Sequence, residues 1–278
     1  MWKILNIISK RLIVTIPVMM LLGFAYGLGF EVAWLKHLIL PFTFLMVYPM
    51  MVTLKVKQVF QGGDTRAQLM AQAVNFGVVP FLAFGAGLLF FGDRPYMALG
   101  LLLAGLVPTS GMTISWTGFA KGNLAAAVKM TVIGLVAGSL ATPLYVKALM
   151  GAAIDVNMLA VFKQIALIVF LPMALGYATQ RALIGKFGLQ AFQQKIGPRF
   201  PPISTLGVLG IVFVALALKA NAIASAPGML LNILVPMVLL YAVNFTLSTF
   251  LGKRFLPRGD AIAMVYGTVM RNLSIALA

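Results

Sequence analysis

The chain has no cysteine, a single histidine and only five acidic residues. Without cysteine there can be no disulfide, thiolate metal site or thiol nucleophile. The acids Glu31, Asp64, Asp93, Asp155 and Asp260 fall in connections or at segment ends, which leaves no embedded carboxylate pair for an intramembrane aspartyl protease. His37 stands alone near the edge of an apolar run, where it reads as a structural or interfacial residue. A zinc protease needs the His-Glu-x-x-His ligands and a Ser/His dyad needs a usable histidine, so enzymatic chemistry is not expected. No metal or cofactor is expected either. The same shortage of acid counts against a transporter in which a buried carboxylate carries a proton or completes a sodium site.

Apolar residues, in contrast, are abundant: hydrophobic types make up 62% of the chain and charged types 9%, with a mean hydropathy of +1.03. Runs of roughly 18 or more apolar residues are long enough to cross a hydrocarbon core as helices. Nine such spans lie near 12–30, 33–53, 68–91, 97–119, 124–146, 158–180, 202–219, 229–251 and 260–278. The expected fold is therefore an all-α membrane protein with one transmembrane domain over 1–278. The first run is followed by others like it and has no Ala-x-Ala-like site before Glu31, so it reads as a span and not as a cleaved signal peptide.

A net charge of +16 would suggest nucleic acid in a soluble protein, but here the cations flank apolar segments. Outside the ninth span, fifteen Lys and Arg residues fall on the side of the N-terminus and five on the other. The positive-inside rule then puts the N-terminus in the cytoplasm of a multi-pass plasma-membrane protein. The basic stretch 180–200 reads as an amphipathic linker at the lipid headgroups between two halves of the chain.

One cation breaks the flanking pattern. Arg271 lies inside the apolar run GTVMRNLSIALA with no acid in the same segment. A guanidinium at bilayer depth costs roughly 2.5–3.5 kcal/mol on insertion scales, and such residues face cavities on ion or substrate pathways. A second irregularity lies about 160 residues earlier, where Pro108 and Gly111 are crowded by Thr109, Ser110, Thr113 and Ser115. Proline removes a backbone donor and clashes with the preceding turn, so the fourth span is expected to unwind there. The ninth span, with Gly267, Thr268, Arg271, Asn272 and Ser274, is expected to break likewise.

Interrupted helices at matching places in two halves are the plan of inverted-repeat transporters, whose half-helix ends hold the solute near mid-membrane. A first repeat over about 1–150 and a second over about 158–278 fit that plan, and IPVMMLLGFAYG (16–27) is faintly echoed by LPMALGYA (171–178). Five spans per repeat call for ten helices. Nine are present, so the sequence is expected to be truncated before its last helix.

The candidate site consists of Arg271 as fixed charge, with Asn75, Thr109, Ser110, Thr113, Ser115, Asn272 and Ser274 as hydrogen-bonding groups, and Pro108, Gly111 and Gly267 as the breaks. Five donors in a planar fork suit a carboxylate or an oxyanion. The alternative for Arg271 is that it snorkels to a headgroup or donates to neighbouring carbonyls. Ser139, Thr205 and Ser248 read as back-bonded or helix-contact residues. Asn244 has no break beside it and also reads as a helix contact.

At these residues the chain resembles the superfamily that joins bile acid:sodium symporters to arsenite-efflux permeases of arsenical resistance. VPTSGMTISWTGFAKGN (107–123) has Pro108 and the Ala120-Lys121-Gly122-Asn123 ending at the spacing of the symporters' Cys-Pro-Gly-Gly tract closed by Ala-Lys-Gly-Asp. Asn75-Phe76 through Pro80 resembles the third helix of both branches, and Arg271 to Ala276 sits where both place their second broken helix. Tyr48-Pro49-Met50-Met51, Lys55-Val56-Lys57 and Trp116 look specifically like the arsenite branch.

The departures bear on the substrate. The arsenite family's cysteine corresponds to Thr109, the symporters' sodium-binding glutamate to Gly267 and its following glutamine to Arg271, and their Ser-Asn pair to Thr113-Ile114. The resemblance implies a ten-helix fold with a panel and a core domain and alternating access around crossed broken helices. The reading is a secondary transporter of a small polar or anionic solute, with a sodium-coupled organic-anion symporter as the alternative. A channel and a membrane scaffold remain as readings from other classes, and the coupling ion is open.

Overall fold

The computed structural model describes Leu5, Ile8 and residues 11–53, 64–107, 109–151 and 158–272, without the side chains of Ser115, Met158 and Val161. Pro108 and Ser274, both expected at the site, lie outside the described residues, as does the side chain of Ser115. The described residues are almost entirely helical. Among the described residues, seven helices are long and apolar enough to cross a membrane. The difference from nine has a local cause: the fourth span is broken into two short helices, and the described part of the ninth is one short helix followed by an extended segment.

The chain divides into two compact units, each drawing on both halves of the sequence. In the first unit are α1 (Leu12–Gly29), α2 (Lys36–Val52), most of α7 (Phe162–Phe187) and α8 (Phe200–Ser225). Because lipid tails are as apolar as the side chains they solvate, these helices gain by close packing and polar contacts, and small residues allow it. Gly23 and Gly27, spaced four apart on α1, leave no room for a side chain against Phe213, Ala217 and Ala220 of α8. Gly207 and Gly210 of α8 do the same against Phe42 and Met46 of α2. Tyr48 and Thr179 share a hydrogen bond of 2.8 Å, and Gln180 donates to the Val52 carbonyl at 2.8 Å, which ties α7 to α2.

The second unit holds α3 (Thr65–Phe91), α4 (Pro95–Leu106), α5 (Met112–Phe119), α6 (Leu124–Met150), α9 (Gly228–Phe255) and α10 (Arg258–Val269). One apolar cluster joins Ala83 and Phe91 of α3, Leu102 and Leu106 of α4, Val146 of α6 and Leu240 of α9. Another joins Ala71 and Val74 of α3, Met130 of α6 and Met264 of α10.

Ser139 bonds back to Leu135 and Thr205 to Pro201, as their sequence context suggested. One acid departs from expectation. Asp64 is at a segment end but is buried and ion-paired with the buried Lys129 of α6. Gln68, one turn on, donates to the Asp64 carboxylate at 3.2 Å and to the Ala126 carbonyl at 2.9 Å.

Candidate functional site

Asn75 lies on a π-helical turn of α3, Ala73–Val78, just before Pro80. A π turn arises where one residue too many is accommodated in the ladder, often at functional places. Pro80 has no N–H to give the Phe76 carbonyl four residues back. The Tyr145 hydroxyl of α6 donates to that carbonyl instead. The widened turn presents Asn75 to the interior, where it is buried.

The first break follows from its proline. Val107, the residue before Pro108, is extended (φ −53°, ψ 143°), the conformation that a following proline imposes. Helix resumes at Met112 with Gly111 as N-cap. The second break begins at Met270 (φ −78°, ψ 93°). Gly267 was expected to mark it, but α10 continues to Val269. The missing side chain at Gly267 serves packing: a Cβ there would stand 2.7 Å from the Met130 sulfur.

The two breaks meet as antiparallel extended backbone. Thr109 and Arg271 form an isolated β-bridge, and the Ser110 N–H donates to the Met270 carbonyl at 2.8 Å. The last turn of a helix leaves carbonyls without an intrahelical partner, and here side chains from several segments reach the carbonyls at the end of α10, of which Tyr266 also accepts from the Met270 N–H at 3.0 Å. Thr113 donates to Tyr266 at 3.2 Å, Thr109 and Asn75 to Gly267 at 3.1 and 3.2 Å, and Asn244 to Thr268 at 2.9 Å. Thr109 fits because α6 carries Gly134 opposite, where a Cβ would stand 2.6 Å from the threonine hydroxyl.

Arg271 is buried at this junction. It donates through Nη2 to the Asn75 side-chain oxygen at 2.8 Å and through Nη1 to the Val107 carbonyl at 3.4 Å. No acid is needed to hold it. Val107 caps the C-terminus of α4, and Arg271 itself follows the C-terminus of α10 by two residues. A helix C-terminus favours a cation by about 0.3–1 kcal/mol, up to ~2 when partly buried. Two such ends are of the same order as the roughly 2.5–3.5 kcal/mol insertion cost. The guanidinium in turn offsets the negative potential that two carbonyl ends, of roughly −0.5 charge each, would create.

The spacious polar pocket expected around Arg271 is not present among the described residues. The adjoining cavity, lined by Val79, Ala104, Gly105, Leu240, Tyr241, Asn244 and Arg271, has a volume of about 10 Å³, room for roughly one water. Five N–H groups are available to a guanidinium, and Arg271 Nε has no hydrogen-bond partner among the described residues.

Of the expected site residues, Arg271, Asn75, Thr109 and Thr113 are joined through side-chain hydrogen bonds, while Ser110 enters through its backbone N–H and Asn272 is buried next to Arg271. The Ser110 hydroxyl accepts locally from the Met112 N–H at 3.3 Å. Asn244 makes the helix contact that its sequence context suggested, between α9 and α10, and the carbonyl it reaches lies beside the second break. Ser248, one turn along on the same face of α9, accepts from the Thr268 hydroxyl at 2.7 Å. The spacing of Tyr241, Asn244 and Ser248, three and four residues apart on α9, was the signal that could have found this face.

Residues 40–226, more than half of the chain, match the family described as the Sodium Bile acid symporter family. The chain belongs to that family. The Sodium Bile acid symporter match includes Asn75 and the first break, while α9, α10 and Arg271 lie beyond it. Among curated proteins the chain is similar to the uncharacterized protein YbaS of Bacillus subtilis, with 23% identity over 70% of this chain and 63% of that protein. It is also similar to the arsenical-resistance protein Acr3 of Alkaliphilus metalliredigens, 23% identical over 84% of this chain and 70% of that protein. With Acr3 of Corynebacterium glutamicum it shares 24% identity over 86% of this chain and 71% of that protein. The chain thus spans less than two thirds of the Bacillus relative's length. The family description names a symporter, and this chain, with its apolar helices long enough to span, is a multi-pass membrane protein.

Proposed function

We propose that the chain is a secondary transporter that carries a small polar or anionic solute across the plasma membrane by alternating access, with Arg271 as a fixed positive charge. The observation that carries this reading is the buried guanidinium at the meeting of the two breaks, bound, among the described residues, to neutral oxygens and with no partner there for its Nε–H. The described conformation is closed around it, so solute reaches it when the junction opens. Asn75, Thr109, Ser110, Thr113, Asn272 and, from the sequence, Ser115 and Ser274 supply hydrogen bonds to the solute. The N-terminus lies in the cytoplasm.

Two relatives bear the name arsenical-resistance protein. In this chain Thr109 stands where the arsenite branch has its cysteine, and an oxygen donor beside a guanidinium suits an oxyanion or carboxylate better than a thiophilic solute. Sodium is repelled from a place already occupied by a cation, so transport proceeds without it.

Uptake of labelled phosphate, arsenate, arsenite and small mono- and dicarboxylates into proteoliposomes tests this, in choline and in sodium medium. Saturable uptake of one anion, equal in both media and accelerated by unlabelled solute on the opposite side, supports the proposal. Uptake that requires sodium supports sodium-coupled organic-anion symport, to which the family description gives weight. Single-channel current without exchange indicates a channel. No uptake of any solute indicates a scaffold.

A further inference from the structure

A second cavity in the same unit, about 430 Å³, opens between α9 and α10; of the residues of the candidate site, Tyr266 lines it and Arg271, Asn75, Thr109 and Thr113 do not. Its size is within the range of small-molecule sites, roughly 300–1,000 Å³. The lining changes character in a fixed order along α9. Phe245, Thr249 and Lys253 line it at four-residue intervals, hence on one face. Phe245 is 51% exposed, and Val238, seven residues earlier and so on the same face of the helix, is exposed as well. Thr249 has its hydroxyl oxygen buried and without a hydrogen-bond partner among the described residues. Lys253 is exposed, and Arg258 at the start of α10 joins it on the lining. The Arg254 and Arg66 guanidinium groups lie over the Phe255 ring at 5.5 and 5.9 Å, adding charge nearby. The acid of this region, Asp260, is absent from the lining and accepts a hydrogen bond from the Asn123 amide at 2.6 Å.

We propose that this groove holds one anionic glycerophospholipid, with its phosphate at Lys253 and Arg258 and an acyl chain along Phe245. Four residues of helix rise about 6 Å, so Lys253 and Phe245 stand about 12 Å apart along α9, charge first and apolar surface after it, in the order of headgroup and chain. Basic pockets between membrane helices take anionic lipid headgroups for the same electrostatic reason. A soluble anion would use the two cations but would leave the apolar face open. The assignment does not depend on what the protein transports.

The test is native mass spectrometry of the detergent-solubilised full chain titrated with dioleoyl-phosphatidylglycerol, with dioleoyl-phosphatidylcholine and soluble glycerol phosphate as comparisons. Phosphatidylglycerol is expected to be retained at one per chain, in preference to phosphatidylcholine, and not displaced by glycerol phosphate. The double variant Lys253→Gln/Arg258→Gln is expected to bind it about thirtyfold more weakly, roughly fivefold per removed cation. Phe245→Gln, which keeps both cations and removes the apolar lining, is expected to weaken binding several-fold while the lipid-free melting temperature stays that of the parent. Equal retention of the two phospholipids, displacement by glycerol phosphate, or unchanged binding in both variants would overturn the assignment.

Discussion

Arg271 and Asn75 are 196 residues apart in sequence and joined by a 2.8 Å hydrogen bond from guanidinium to side-chain amide. Asn75 also donates to the Gly267 carbonyl. One amide therefore orients the cation and caps the helix that precedes it, so the π turn of α3 and the second break are fixed together.

Asn75→Leu is expected to remove both bonds at nearly constant volume and to destabilise the protein by about 1.5–3 kcal/mol, the range for a hydrogen bond to a charged group. Melting in detergent measures this. A melting temperature equal to the parent's would mean that Asn75 does not hold Arg271.

Tyr145→Phe deletes only the hydroxyl that serves the Phe76 carbonyl left open by Pro80. An orphaned buried acceptor costs about 1–3 kcal/mol. Because the π turn carries Asn75, ligand affinity is expected to fall along with stability, whereas a purely structural loss would lower the melting temperature alone.

Asp64 and Lys129 make a buried ion pair. Asp64→Asn is expected to cost about 3 kcal/mol, because the lysine loses its charge partner. Replacing both with apolar residues, Asp64→Leu/Lys129→Met, is expected to recover most of that loss, as buried pairs exchanged for well-packed apolar groups commonly do. A double variant as unstable as the single one would show that the pair does more than neutralise itself.

Much of this arrangement is legible in the sequence because its causes are local. Apolar length gives the spans, Pro108 gives the first break and the extended Val107, and an unneutralised arginine announces a buried polar junction. The remainder depends on contacts distant in sequence. The burial of Asp64 depends on Lys129, 65 residues on, and nothing around either residue signals the pair. Asn244 was legible as a helix contact, but its partner was not, because the Thr268 carbonyl is left open by a break in a different helix. Gly267 looked like a break because glycine destabilises helices. Its actual neighbour, Met130, is visible only once α6 and α10 are packed.

The fixed charge of Arg271 is tested most directly by thermal shift of the purified full chain against phosphate, arsenate, arsenite and small carboxylates, with and without sodium, beside Arg271→Gln. The account predicts that at least one anion raises the melting temperature of the parent without sodium, and that the same anion has no effect on Arg271→Gln. Stabilisation by that anion that persists undiminished in Arg271→Gln would contradict it.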